Sequence, residues 1–453
     1  MLEDMSRRNF IKTSAAIGAG IYVRGKALGA DAPQKDVINV ALLGAGAQGQ
    51  VLMSAILKKK DPSIRFVAVC DIWEKVNLRR VSRQMQAYGK KFGFKGTPYT
   101  DYKEMLDTET DLDAVIVATP DFWHAEHTVA CLEKGLHVYC EKEMSNTIEG
   151  AKKMLAAQKA SGKLLQIGHQ RRSNPRYLHC YDKLIQDAGL LGRMTTVNGQ
   201  WNRSKASCED LGWPEGTGID SATLTKYGFK DMSQFRNWRW YKGLGGGPIV
   251  DLGSHQIDIY SWFLGTNPKS VMASGGVDYW KGHEWYDNVM AIYEYETNTG
   301  TVRAFYQTGT TNSANGYFES FMGDQGTLLI SESSNRGSVY REGWVDEAAW
   351  DQWVEKGYIT KAEGKPAKKD ADNEAVLDVR EGSYAPAEYK IPVTMNVPYH
   401  QPHLVNFFNA IRGTEKLNCP ADIGYETAVT VLKVNEAVAQ AKRLDFKPEE
   451  FHA

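Results

Sequence analysis

A hydrophobic strand, INVALL, runs into Gly44-Ala45-Gly46-Ala47-Gln48-Gly49, and a helical pattern, QVLMSAILKK, follows at once. Glycines so spaced between a strand and a helix suit a pyrophosphate. Gly44 permits the tight turn, Gly46 lets the backbone come close, and Gly49 lets the helix pack on the strand. The helix start then offers free N–H groups and the positive end of its dipole to the phosphates. The next apolar strand, RFVAVCD, ends in Asp71, whose carboxylate can hold ribose hydroxyls and would repel a 2′-phosphate. The pattern points to a dinucleotide, NAD rather than NADP. Glu141-Lys142 closes a later strand, LHVYC. A lysine at the carboxyl end of such a strand can bind a substrate hydroxyl and stabilise charge on its oxygen as a hydride leaves. Downstream, in GGGPIVDLGSHQID, Asp251 and His255 share a face if the segment is helical from Pro248. Histidine suits a base that takes the hydroxyl proton, and Asp251 can orient its ring or hold a neighbouring hydroxyl.

The elements that must position these groups follow from hydrophobic patterning. From Asn39 onward, near-continuous apolar strands (INVALLG, RFVAVCD, DAVIVATP, LHVYCEK, KLLQIGH) alternate with helical segments. That is the signature of a buried, doubly wound parallel sheet, here spanning residues 38–170. After Arg172 the segments MTTVNGQWN, SVMASGGVDYW, DNVMAIYEYE, GTVRAFYQTG and YFESFMGDQGTLLISE alternate apolar and polar residues. They predict an α+β second domain, residues 171–453, built on a large, mainly antiparallel sheet with one face buried. Residues 335–390 are charged and weakly periodic and read as a surface insertion; helical patterns across 400–442 close the chain.

The 453 residues suffice for two domains, and a formal net charge of -1 with mixed signs leaves no basic footprint for nucleic acid. No segment reaches the roughly 18 apolar residues that a membrane span requires. The six cysteines lack metal-site spacing and are expected to be small core residues. His124 and His127 stand at a helix start without an evident third ligand, so no metal site is expected. The N-terminus differs in kind. Ser6-Arg7-Arg8-Asn9-Phe10-Ile11-Lys12 precedes a short apolar stretch and resembles a twin-arginine export signal, assigned to residues 1–30. The expected location is periplasmic or otherwise exported.

On GAGAQG, ATPDFWHAEH, VYCEKEM, IGHQRR and GGGPIVDLGSHQID, the chain resembles the Gfo/Idh/MocA family of nicotinamide-dependent oxidoreductases that act on sugars. The resemblance implies an N-terminal Rossmann domain and a catalytic set of Lys142, Asp251 and His255. It implies cofactor contacts from Gly44, Gly46, Gln48, Gly49, Asp71, Thr119, Pro120, His124, Glu141 and Lys142. His169, Arg171 and Tyr177 are candidates for the domain junction, as substrate contacts or as packing and ion pairs. Trp238 stands among several tryptophans, including Trp201, Trp213, Trp240, Trp280 and Trp285, that could stack on a sugar. The family usually has proline after the lysine; here Glu143 stands there and adds a carboxylate. Relatives often assemble through the second sheet, so a homo-oligomer is expected.

The expected function is NAD(H)-dependent oxidation or reduction at a secondary hydroxyl of a sugar or glycoside. An exported enzyme has no maintained NAD pool, which implies a cofactor that is tightly held and recycled in place. An alternative is NAD-dependent glycoside cleavage by transient C3 oxidation and elimination, as in the more distantly similar family-109 glycosidases. A third reading is a catalytically silent NAD- or sugar-binding protein.

Overall fold

The computed structural model describes residues 36–362 and 386–452; the expected export signal lies outside the described residues. Apolar runs of four to seven residues build most of the first sheet: β1 (Ile38–Leu43), β2 (Ile64–Cys70), β4 (Ala114–Val117) and β5 (His137–Cys140). Two short strands, β3 (Thr97–Tyr99) and β6 (Leu165–Ile167), form its edges. All pairings are parallel, in the order β3-β2-β1-β4-β5-β6. Helices cover both faces, which is why Val40, Leu42, Val115 and Ile116 are fully buried with no polar alternation. The strand order reverses beside β1, and ligands of such sheets bind beyond the strand ends at that point.

The second sheet has ten strands in the order β14-β15-β13-β12-β11-β7-β10-β9-β8-β16. They are β7 (Met194–Asn202), β8 (Pro268–Gly276), β9 (Asn288–Thr297), β10 (Gly300–Gly309), β11 (Tyr317–Gly323) and β12 (Gly326–Ile330). β13 (Gly337–Arg341), β14 (Thr360–Lys361), β15 (Ala387–Lys390) and β16 (Leu444–Asp445) complete it. Only β7 and β10 pair in parallel. Period-two alternation sets its faces: along β9, Val289, Ala291, Tyr293 and Tyr295 are fully buried, while Met290 and Ile292 are exposed. The buried face packs on helices Gly253–Leu264 and Ala421–Gln440; Tyr293, for example, donates to the Thr430 carbonyl at 3.2 Å.

Two expectations need correction. Residues 335–390 are not simply a surface insertion, because β13 and β15 pair within the sheet, with Val339 opposite Tyr389. Trp350, Ile359 and Tyr389 are buried there; the two strands, of five and four residues, are too short to show a period beside the charged stretch between them. Nor does everything after residue 170 belong to the second sheet. Helix Gln401–Ile411 returns to the first, where Leu404, Phe407 and Phe408 pack with Val40, Leu42 and Tyr139. No described helix is long and apolar enough to cross a membrane.

Candidate active site

A cavity of about 590 Å³ opens beyond the carboxyl ends of β1, β2, β4 and β5 and is closed by residues of the second sheet. Its floor is the glycine turn. Gly44 has φ +96°, and a side-chain carbon there would sit 2.5 Å from the Ala118 carbonyl oxygen. At Gly49 it would sit 2.0 Å from the Gly44 oxygen, so only glycine lets this helix lie on the strand. Gly46 differs: the nearest atom to such a carbon is Asn77 Nδ2 at 4.0 Å, leaving an open cradle. Helix Ala47–Lys59 starts at Gly46 with neither a side-chain cap nor an acidic residue in its first turn, so its leading N–H groups remain available to an anion. Asp71 lines the same cavity. Its Oδ2 accepts from the Ala45 N–H at 2.8 Å and its Oδ1 from the Trp73 N–H at 2.7 Å. Burial raises its pKa even against these bonds. The residues present therefore fit a dinucleotide.

Gln48 donates to Glu141 Oε1 at 3.0 Å and lies 2.9 Å from the His400 ring, tying the glycine turn to β5 and to the segment before helix Gln401–Ile411. Thr119 and Pro120 line the cavity after β4, and the Thr119 hydroxyl lies 3.0 Å from His127 Nδ1. The His124 ring nitrogens face the carbonyls of Glu143 at 2.7 Å and Thr119 at 2.8 Å. Burial pushes its pKa down to about 4, and a neutral ring donates to only one of those carbonyls. The Glu143 carboxyl is buried, accepts from the Met144 N–H at 2.9 Å, and is pushed up to about 8 by desolvation.

Lys142, Asp251 and His255 all line the cavity. The Asp251–His255 segment is not one helix: Gly247–Asp251 ends, Leu252 intervenes, and Gly253–Leu264 begins. Lys142 Nζ donates to the Asp251 carbonyl at 2.5 Å and lies 3.4 Å from Asp251 Oδ1. Arg239 Nε donates to the same oxygen at 3.1 Å, and Arg203 lies 3.9 Å from Oδ2. Burial alone would raise the Asp251 pKa, but Lys142, Arg239 and Arg203 outweigh it and hold the carboxyl well below the usual range. The side chain thus serves cations rather than the His255 ring. His255 is held far below neutrality by burial, reinforced by Lys142 and Arg171, so its ring is neutral. Trp201 leans against it at a ring-centroid distance of 5.4 Å.

Other expected substrate contacts separate. Trp238 lines the cavity, with Arg239 over its ring at 4.3 Å. Arg171, Tyr177 and His169 are buried and do not line it. Arg171 pairs with Glu319, and with Glu332 at 3.0 Å; Tyr177 donates to Glu319 at 2.7 Å. These residues form a buried ionic core behind the site, because a guanidinium out of water must find carboxylates. Glu319 itself is raised to about 7 by burial, against the pull of Arg171. Arg172 likewise pairs with Asp258, at 2.7 Å. Sequence reading missed Arg203, Arg239, Asp121 and His400, all of which line the cavity. Arg239 stands close before the glycine run, a weak signal; Arg203 and His400 carried none.

A glycine-cradle sheet closed by a second, mostly antiparallel sheet is the architecture of two-part dinucleotide oxidoreductases. The model described as "Oxidoreductase family, NAD-binding Rossmann fold" matches residues 38–169, and the Gfo/Idh/MocA C-terminal domain model matches residues 183–329. The chain belongs to the Gfo/Idh/MocA oxidoreductase family. It is 27% identical to scyllo-inositol 2-dehydrogenase (NADP(+)) of Bacillus subtilis over 53% of this chain and 55% of that protein. It is 29% identical to D-glucoside 3-dehydrogenase of Escherichia coli over 50% and 54% respectively. The chain thus spans about half the length of these curated relatives. Among solved structures it is similar to the WlbA dehydrogenase of Bordetella pertussis, crystallised with NADH and UDP-GlcNAcA. The TM-score is 0.66 at 17% identity, covering 92% of this chain and 99% of that one; the likeness concerns the fold.

Proposed function

We propose that the chain is an NAD(H)-dependent oxidoreductase acting on a secondary hydroxyl of a sugar or glycoside, with a cofactor that is tightly held and reset in place. The observation that carries this reading is the convergence of Lys142, Asp251 and His255 on the cavity that ends in the Gly46 cradle. The names of the relatives, an inositol and a glucoside dehydrogenase, favour the same substrate class and make glycoside cleavage unnecessary.

The glycine turn and the helix start at Ala47 would hold the phosphates, and Asp71 the adenosine ribose. The bound nicotinamide supplies the hydride acceptor. Lys142 holds the substrate oxygen and stabilises negative charge as it develops. Neutral His255 would take the hydroxyl proton, freeing the oxygen's electron pair to form the ketone as the carbon gives up its hydrogen, with the bonding pair, to the acceptor that a bound nicotinamide would supply. Asp251 fixes the Lys142 ammonium through its carbonyl and carboxylate and offers its free lone pairs to a neighbouring hydroxyl.

Export by the twin-arginine route is part of this reading and rests on Ser6–Lys12. A homo-oligomer is supported by Met272, Met290 and Ile292, exposed together on the outer face of β8 and β9. The test begins with heat release of ligand from purified protein, followed by chromatography. NAD in the supernatant is expected, and its absence would count against tight retention. Incubation with aryl glycosides and no added NAD should then yield enzyme-bound NADH and a keto-sugar. Release of aglycone would move the assignment to cleavage. No reaction with any sugar would leave a silent binding protein.

A further inference from the structure

Residues 204–246, between β7 and helix Gly247–Asp251, belong to neither sheet. They carry two short helices, Ser221–Lys226 and Met232–Arg236, and a small hydrophobic core of their own in which Leu224, Tyr227, Phe229 and Met232 pack with Trp73. Trp73 lies on the loop after β2, and Trp123 lies in the first turn of helix Asp121–Glu133 after β4, on either side of the glycine turn. Both indoles donate to this segment: Trp73 Nε1 to the Thr217 carbonyl at 2.7 Å, and Trp123 Nε1 to the Tyr227 carbonyl at 3.1 Å. Lys226 adds an ion pair to Asp101 at 2.8 Å, beyond β3.

The order β2-β1-β4 places the end of β1, and with it the glycine turn, between those anchors. A segment tied to both neighbours passes over the crevice. Tyr227, Phe235 and Arg236 line the cavity together with Asp71 and Asn77. Arg236 has neutral partners, the Gly212 carbonyl at 3.0 Å and the face of the Trp73 ring at 5.0 Å. Its charge is therefore available to an anionic ligand in the cavity.

We infer that residues 204–246 are a clasp that holds the dinucleotide in its crevice, with Arg236 as a further cofactor-binding residue directed at its phosphates. This rests on the oxidoreductase reading and gives the tight retention a structural cause. The cofactor leaves only when the Trp73 or Trp123 anchor lets go, so exchange is limited by opening rather than by the contacts of the glycine turn.

The test uses the full chain with Asp101→Cys and Lys226→Cys, loaded with NADH and joined by a bismaleimide reagent that contains a reducible disulfide. The native cysteines among the described residues are all buried, which directs the reagent to the new pair. Displacement of NADH by excess NAD is followed by the fluorescence of the bound cofactor. Exchange should be at least about tenfold slower when linked and return on reduction. Arg236→Ala should speed release by about tenfold while the Tm of the ligand-free protein falls only by the small cost of the Gly212 bond and the Trp73 contact, and Arg236→Lys should fall between. Equal exchange rates linked and unlinked would overturn the clasp, and an unchanged release rate in Arg236→Ala would remove that residue from it. Failure of the native chain to bind NADH at all would instead overturn the oxidoreductase reading.

Discussion

Lys142, at the end of β5, and Asp251, at the end of helix Gly247–Asp251, are joined twice: Nζ donates to the Asp251 carbonyl at 2.5 Å and lies 3.4 Å from Oδ1. The main-chain bond matters most, because it survives any change of the Asp251 side chain. It fixes an ammonium from the first sheet onto the second domain, and Lys142 is nearly buried at 11% side-chain exposure.

Lys142→Met should lower kcat by about 10²–10³-fold, the usual cost of removing a positioned donor to a developing oxyanion. NADH affinity, read by fluorescence titration, should stay within a few fold. A loss confined to affinity would show that Lys142 holds cofactor and does not act on substrate. Asp251→Asn keeps the carbonyl bond and should cost less than Lys142→Met.

Gly46→Ala and Gly49→Ala should behave differently. A methyl at Gly49 meets the Gly44 oxygen at 2.0 Å, so the helix must move and stability should fall by about 1–3 kcal/mol or more. At Gly46 there is room, so stability should hold within the scatter of surface changes, about 0.5 kcal/mol, while NADH binding weakens. Calorimetry and fluorescence titration on the same two proteins separate the effects.

Arg171→Met should act on stability rather than on substrate affinity. Stranding Glu319 and Glu332 beside an apolar side chain costs about 3–5 kcal/mol, reduced as Glu319 takes up a proton. A rise in KM with unchanged Tm would restore Arg171 to the substrate site.

Stability should peak near neutral pH. Burial holds His124, His137 and His169 down to about 4, and His127 and His403 to about 3, against 6.5 when unfolded. Below that value the unfolded chain binds more protons, so acidification lowers Tm. Asp121 and Glu319, raised to about 7, and Glu143, raised to about 8, work in the other direction. Above their unfolded values of 3.8 and 4.5 the folded chain keeps protons that the unfolded chain has lost, so raising pH lowers Tm. From pH 4.5 to 6.5 the histidines outnumber the acids and stability climbs; above 6.5 only the acids remain and it declines. A Tm that rises steadily from pH 5 to 9 would contradict this burial pattern.

What could be read directly from the chain was local. The apolar runs INVALL and AVIV mark buried parallel strands because burial on both faces removes any polar alternation, and β9 shows the reverse case. The glycine turn was legible because backbone close approach is a property of residues within one turn, and Lys142 because a strand end is itself a local signal. The strands β13 and β15 are too short to show a period beside the charged stretch between them.

Only the tertiary structure decided which polar groups face the cavity. Arg171 and Arg239 carry the same charge and look alike in sequence, yet one is locked to Glu319, 148 residues away, and the other reaches Asp251 in the site. The segment across 204–246 has no strong period of its own, because its apolar residues pack on Trp73 and Trp123, which follow β2 and β4 in the first domain. Sequence periodicity records which side of an element is dry. It does not record which distant element dries it, and that pairing assembled the site.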